Sequence, residues 1–297
     1  MKKNNPISVS VIIPHYNDVR RLRLCLQSLQ TQSFPNEATE IIVADNGTPG
    51  GIEQIIAEFP HVRFVDVAER GAAPARNAAL ALATGDAIAF IDADCVAAPD
   101  WIETGLSGLA DADYVGGQVE VTTEDNNHPS ATEAFEKIFG FRQQLYLKRK
   151  HFSVTANLFV WRSVAEKIGP FKNFVAEDLD WGQRAHTLGF RLAFNCKSKV
   201  GHPARQNWDE LVRKWDRVTL ERWNGLDERR LFYRVKWACL AVMTAFSPLP
   251  HLWTVFASDK LSCLRDKIAA AGVLARIRWW RARRMFSFLT LSSARSS

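Results

Sequence analysis

Within the first 95 residues, short runs of β-branched and aliphatic residues alternate with stretches of helical period, and this alternation admits few folds. Residues 8–14 (SVSVIIP) are mostly β-branched and apolar, as a strand covered on both faces should be. Residues 19–32 set Leu22, Leu26 and Leu29 on one helical face and arginines on the other. Further strands are expected at 40–45, 62–67 and 87–92, with helices at 52–58 and 74–83. The spacing predicts an α/β fold, Rossmann-like, with a mainly parallel sheet flanked by helices. Such sheets bind ligands outside the carboxyl ends of their strands. Asp45 and Asp92 both stand where apolar strands end.

Beyond Pro99 the pattern loosens. A helix is expected at 100–109, a strand at 114–121, a polar loop at 122–129 and aromatic-rich helical sequence over 131–150. A strand at 152–161, helices at 162–168 and 179–188 and a last strand at 191–195 complete a catalytic domain assigned to 1–204. Residues 205–297 form a basic, Trp-rich helical extension. In it, 207–223 places Trp208, Leu211, Trp215, Val218 and Trp223 near one face. Residues 237–257 contain no Asp, Glu, Lys or Arg and are interrupted by Pro248-Leu249-Pro250. Residues 263–288 carry Arg276, Arg278, Arg281, Arg283 and Arg284 around Trp279 and Trp280.

The charge divides along the same boundary. Past residue 202 there are 18 Lys/Arg against 8 Asp/Glu, out of 38 against 32 in all 297 residues, so the front part is mildly acidic. A basic tail meets nucleic acid, anionic lipid or an acidic partner. The five cysteines are scattered with no C-x-x-C pair, which argues against a disulfide framework and a structural zinc site. Residues 1–6 lead into the first strand with no long apolar segment, so no secretory leader is expected.

Four constellations carry chemistry. Asp92-Ala93-Asp94 closes a strand with two carboxylates, a pair able to hold one hard cation and, through it, a diphosphate. Asp45, at the end of the second strand, is placed to accept hydrogen bonds from a base or ribose, or to cap an Asx turn. Pro14-His15-Tyr16-Asn17 stands where a dinucleotide fold would carry G-x-G-x-x-G, so an NAD-type site is not expected. Residues 71–77 (GAAPARN) enter a helix with Arg76 and Asn77 in its first turn, where Arg76 would reach a phosphate and Asn77 the donor or the Asp92 loop. Glu177, Asp178 and Asp180 open another helix, where acids suit the N-terminal dipole and one carboxylate can serve as a general base. His202, just after the last core strand, can complete a metal site.

Taken in order, residues 10–17 (SVIIPHYN), 41–48 (IIVADNGT), 71–77, 92–94 and 177–181 (EDLDW) resemble the family 2 glycosyltransferases, whose catalytic fold is called GT-A. The resemblance covers residues 7–202. It implies an inverting hexosyltransferase using a nucleotide-diphosphate sugar, with UDP-sugar the expected donor and Mg²⁺ or Mn²⁺ as cofactor. It further implies that Pro14, Tyr16 and Asp45 contact the donor nucleoside and that Arg76 lies near its base or diphosphate. Asp92 would bind ribose, Ala93 would lie between the two acids, and Asp94 would coordinate the metal with His202 as an extra ligand. Asp178 would be the base, and Glu177 and Trp181 would meet the acceptor. The Q-x-x-R-W motif of membrane-processive relatives is incomplete at 220–223 (LERW), which lacks the Gln, so a single addition is expected.

The acceptor is expected to be a glycan or a lipid-linked one, in envelope or exopolysaccharide synthesis. Residues 237–257 are expected to dip into the cytoplasmic leaflet, with basic and Trp residues at headgroup level. Their alternative is a helical pair packed in solution. Two rival functions stand behind the transferase. A nucleotidyltransferase would favour a Gly-rich, Lys-bearing loop after strand one, which is absent, and a nucleic-acid-binding protein would leave the aspartates unexplained. No nucleic acid partner is expected.

Overall fold

The computed structural model describes residues 7–125, 127–226 and 231–293. Residues 1–6, on which the absence of a leader was read, lie outside them. The chain forms two compact units, each with its own core.

The first unit opens with strand–helix alternation. β1 (Val9–His15), α1 (Val19–Gln30), β2 (Thr39–Asp45), α2 (Glu53–Glu58), β3 (Arg63–Asp66), α3 (Ala72–Leu82) and β4 (Ala87–Ile91) follow one another. β1, β2 and β4 are almost wholly buried, which is why their sequences are apolar without alternation. α1 starts where the Asp18 carboxylate accepts the Arg21 N–H at 3.1 Å, and it buries Leu22, Cys25, Leu26 and Leu29. β5 (Val96–Ala97), α4 (Trp101–Gly108), β6 (Tyr114–Thr122), α5 (Ala131–Phe139), α6 (Gln143–Lys150), β7 (Asn157–Trp161), α7 (Arg162–Ile168), α8 (Glu177–Thr187) and β8 (Leu192–Pro203) come next.

The sheet runs β3-β2-β1-β4-β7-β6-β8-β5. Its first four strands are parallel, in a register that sets His15 opposite Asp45. β7 is antiparallel to β4 and β6, and β5 is antiparallel to β8. The expected mainly parallel sheet is therefore mixed. Periodicity and burial reveal a strand but not its direction, so this half of the topology was hidden. The single helical run expected over 131–150 is broken at Gly140, where a Cβ would come within 2.6 Å of the Glu136 carbonyl. The strand expected to stop at 195 continues to Pro203, and its far end buries Ser198, Val200 and His202 in strict alternation.

Asn157 ties this sheet together below the ligand edge. Wholly buried and paired with Ile91, it donates to the carbonyls of Gln118 and Ser198 (2.9 and 3.0 Å) and accepts from the Trp101 indole at 2.9 Å.

The second unit gathers Val121–Phe141, Phe174–Ala176 and the chain from Pro203 onward. α5, assigned by sequence to the first domain, belongs here because Ala134, Phe135 and Ile138 pack on Leu211, Leu274 and Ile277. Four further helices follow: α9 (Trp208–Asn224), α10 (Leu231–Phe246), α11 (Pro248–Phe256) and α12 (Leu264–Ser293). The proline pair separates α10 from α11, which meet at 42°. Among the described residues no single helix is long and apolar enough to cross a membrane, though this bent pair together has the length and composition. Inside the unit, Glu136 is buried and held by Lys214 at 2.6 Å and Arg205 at 3.3 Å.

Asn157→Ala removes three hydrogen bonds and strands their partners in the sheet. It is expected to lower stability by about 3 kcal/mol, at roughly 1 kcal/mol per bond, read from the midpoint of urea denaturation.

Candidate active site

The carboxyl ends of β1, β2 and β4 lie along one edge of the sheet, and the polar residues collect there. His15 and Asp45 form the first cluster. Both are buried, with Nδ1 and Oδ1 2.7 Å apart. The Asp18 N–H donates to His15 Nε2 at 3.2 Å, so Nε2 accepts and Nδ1 carries the proton given to Asp45. Thr48 adds its backbone N–H and its hydroxyl to the same carboxylate at 2.8 and 2.6 Å. Burial alone would raise the Asp45 pKa, but these bonds outweigh it and hold the carboxyl below its ordinary value. Asp45 thus closes an Asx-type turn, with little accepting capacity to spare. Its neighbour Asn46 pins the next loop, donating to the carbonyls of Val67 and Glu69 and accepting the Gly71 N–H. Gly71, at φ 130°, caps α3, and a Cβ there would meet the Asn173 carboxamide at 2.6 Å. Pro14 is half-buried, and Tyr16 is exposed beneath Arg70, whose guanidinium lies 6.0 Å from the ring centroid.

The second cluster is built around Arg76. Residue 76 is in the first turns of α3 and only 3% exposed. One terminal nitrogen donates to Asp92 at 2.9 Å and the other to Glu177 at 2.9 Å. Its planar fork therefore joins the end of β4 to the start of α8. Arg76 is expected to reach a phosphate; in the structure both its terminal nitrogens are engaged with carboxylates. Asn77 does not reach the Asp92 loop either, because its amide exchanges hydrogen bonds with the backbone of Phe171.

Asp178 sits beside this bridge. Its own Oδ1 accepts the Leu179 N–H at 2.8 Å. Burial and the neighbouring charge of Glu177, against the partial relief of Arg76, push its carboxyl from the ordinary 3.8 up to about 7. Asp180 is different: Arg184 and Lys172 hold it at 2.8 and 3.0 Å and keep it ionised, so it secures the helix start. Trp181 was expected to meet the acceptor. It is instead 1% exposed, stacked on Phe171, edge-on to Tyr114 and bonded through its indole to the Gly169 carbonyl. A large apolar ring at the fifth position of a helix is drawn into the core beneath it.

The third cluster follows the β4 turn. The Cys95 N–H bonds back to the Asp92 carbonyl, placing Ala93 and Asp94 at the corners. Antiparallel pairing of Val96 with Gly201 then brings His202 alongside, its Nε2 3.5 Å from Asp94 Oδ2. Ligand atoms of Asp94, Cys95 and His202 all lie within 4.8 Å of one another, the one such group among the described residues. Burial and the charges of Asp94 and Asp92 drive the Cys95 thiol well up, which favours the carboxylate and imidazole as donors. A carboxylate and a neutral imidazole fit a divalent cation that tolerates nitrogen, and suit Mn²⁺ better than oxygen-demanding Mg²⁺.

Two neighbours escaped the sequence reading. His15 shows no signal beyond its register opposite Asp45. Tyr146, whose phenol is pushed up by burial and, in smaller part, by the Asp178 charge, stacks on Phe152 and comes from a helical run that looked merely aromatic.

Two outcomes follow for stability. Because the folded carboxyl of Asp178 binds its proton more tightly than the unfolded one, folding loses stability as pH rises from about 4 to 7. Asp178→Asn removes that loss, so its thermal midpoint is expected to exceed the parent's at pH 8 and to converge with it in acid. Arg76→Gln leaves Asp92 and Glu177 facing each other, and denaturant titration is expected to show a loss of about 3–5 kcal/mol.

The sequence profile described as Glycosyl transferase family 2 matches residues 10–169. Glycosyltransferase AglE of Haloferax volcanii is 31% identical over 256 residues, 82% of either chain. The uncharacterized glycosyltransferase YibD of Escherichia coli is 41% identical over 105 residues, 34% of this chain and 30% of its own. Among solved structures, the mannosyltransferase PcManGT from Pyrobaculum calidifontis, in complex with GDP-Man and Mn²⁺, superposes with a TM-score of 0.57 at 17% identity, over 95% of this chain and 86% of that one. S. aureus TarS residues 1–349 with UDP-GlcNAc gives 0.54 at 17% identity, over 98% and 93%. At that identity the likeness is one of fold, the GT-A fold.

Proposed function

The chain belongs to the family 2 glycosyltransferases, and on that footing we propose that it moves a sugar from a nucleoside-diphosphate donor to a hydroxyl of a glycan or lipid-linked acceptor, inverting the anomeric carbon. The observation that carries this reading is the meeting of Asp92, Glu177 and Asp178 around one buried arginine, with Asp178 lifted to about 7. A carboxylate so poised is half-ionised near neutrality and takes a proton more readily than an ordinary aspartate.

In the reaction we infer, the acceptor oxygen attacks C1 of the sugar as its proton passes to Asp178. The bond from C1 to the phosphate oxygen breaks on the opposite face, and the nucleoside diphosphate leaves with the electron pair. Glu177, anchored by Arg76, orients the acceptor beside the base. Asp94 and His202 would hold a divalent cation, which when bound supplies Lewis-acid stabilisation of the departing diphosphate. Pro14 and Tyr16 flank the nucleoside end of the donor, where Asp45 acts chiefly by holding the loop of Asn46 to Thr48 in place. That TarS is described with UDP-GlcNAc, and PcManGT with GDP-Man and Mn²⁺, supports a nucleotide-sugar donor and a metal. A UDP-sugar is our choice.

We further infer work at the cytoplasmic face of a membrane. Leu231, Phe232, Val235, Met243, Phe246, Leu249 and Trp253 leave one apolar face of α10 and α11 exposed, within a strongly basic extension.

Calorimetric titration with UDP, GDP and dTDP is expected to show one nucleotide binding only with Mn²⁺, and not to Asp94→Ala. Binding of none under any metal condition would overturn the donor site. Asp178→Asn is expected to bind donor yet lose ~10²–10⁴ in kcat, and the parent's kcat is expected to fall as pH drops below about 7. A mutant that is more stable at pH 8 and still fully active would remove Asp178 from the chemistry.

A further inference from the structure

The second unit contains a cationic centre for which the transferase chemistry has no use. Two tryptophans of α9 each carry a guanidinium of α12 on the ring face: Arg276 lies 3.8 Å from the Trp208 centroid and Arg281 3.9 Å from that of Trp215. Arg276 is exposed, but Arg281 is only 7% exposed. Its Nε and the indole Nε1 of Trp215 are both buried without a hydrogen-bond partner.

Three carboxylates of the unit are already committed. Glu136 is held by Lys214 and Arg205, Asp216 by Arg284 at 2.6 Å, and Glu221 has Arg217 at 3.7 Å. Burial, and after it the like charges of Arg278 and Arg222, lower Arg281 to about 9. The ring beneath offsets part of the cost of such a buried cation. It does not satisfy the buried Nε–H, which lies in the guanidinium plane, and a buried donor left without a partner is costly. Two unanswered donors, on a guanidinium and the indole it stacks on at 3.9 Å, with Arg222 and Arg278 near enough to act on that guanidinium, have the chemistry of an anion cradle.

We propose that Arg281 and Trp215, with Arg222 and Arg278 around them, form an anion site that takes a phosphate group. Two sources carry that chemistry: the headgroup of an anionic lipid and a soluble phosphate. The proposal does not rest on the donor reading, since the donor residues lie in the first unit.

The test uses the full chain in phosphate-free buffer. Thermal midpoints are followed against sodium phosphate, with sodium chloride at matched ionic strength as the control. Sedimentation is measured with vesicles of phosphatidylcholine alone or with a minority of phosphatidylglycerol. The variants are Arg281→Gln and Trp215→Phe, the second keeping the ring and deleting only its donor. The parent is expected to be stabilised by phosphate beyond chloride, to prefer phosphatidylglycerol vesicles, or both. Either response is expected to weaken about tenfold in the variants, the effect of losing one charge-assisted hydrogen bond.

A phosphate effect without variant-sensitive vesicle binding assigns the site to a soluble phosphate, and the reverse assigns it to a headgroup. Without anion, Arg281→Gln is expected to melt no lower than the parent, because it discards an uncompensated charge. Anion responses absent from the parent, or equal in parent and variants, would overturn the proposal, and a lower midpoint beside them would reduce Arg281 to a packing residue. Should Arg281→Gln fail to fold, equal responses in the parent and Trp215→Phe overturn it alone. Loss of UDP binding with the phosphate response intact would count against the donor site only.

Discussion

A guanidinium with almost no access to water holds together the two segments on which the chemistry of the first unit depends. Arg76 reaches Asp92 at the end of β4 with one nitrogen and Glu177 at the start of α8 with the other. A lysine could offer a charge but not this flat two-sided fork. The balance is deliberately incomplete in effect: one cation faces Asp92, Glu177 and Asp178, so negative charge is left over. Asp178, buried and bonded only to the Leu179 N–H, bears the excess as a raised pKa. The same arrangement that fastens the helix to the sheet therefore tunes the proton affinity beside it.

The second unit follows another electrostatic logic. Around Glu136 two cations enclose one buried acid, and Arg284 answers Asp216. Elsewhere between α9 and α12, Arg276 and Arg281 rest on the rings of Trp208 and Trp215 and not on carboxylates. A guanidinium stacked on an indole keeps its edge donors available, whereas one locked to a carboxylate spends them. This separates arginines that fasten the fold from arginines that can still bind.

Much of this was legible in advance, for reasons that differ by residue. Strands β1, β2 and β4 announce themselves by apolar runs, and Asp45, Asp92 and Asp94 by standing at their ends. The acids at 177–180 show the charge preference of a helix start. What was hidden depends on tertiary pairing. Nothing local says that Arg76 will bridge two acids, or that Asp180 will be consumed by Arg184 and Lys172 while Asp178 is left alone. Trp181 looked like part of an acidic surface motif because its helix begins there, yet helical phase turns it inward. Strand direction beyond β4 was equally hidden, and with it the pairing of β5 with β8 that carries His202 to Asp94.

That pairing bears on how the molecule comes into being. Arg76 meets Glu177 across 101 positions of chain and Trp101 meets Asn157 across 56, while His202 must wait for the last strand before it can approach Asp94. Contacts so far apart in sequence require the long loops between them to close. A nascent chain carries the residues of β1–β4 and their strand-end aspartates long before α8 and β8 are made. The competent constellation is thus withheld until the first unit is whole, and a truncated or stalled product carries the acids without the geometry that makes them reactive.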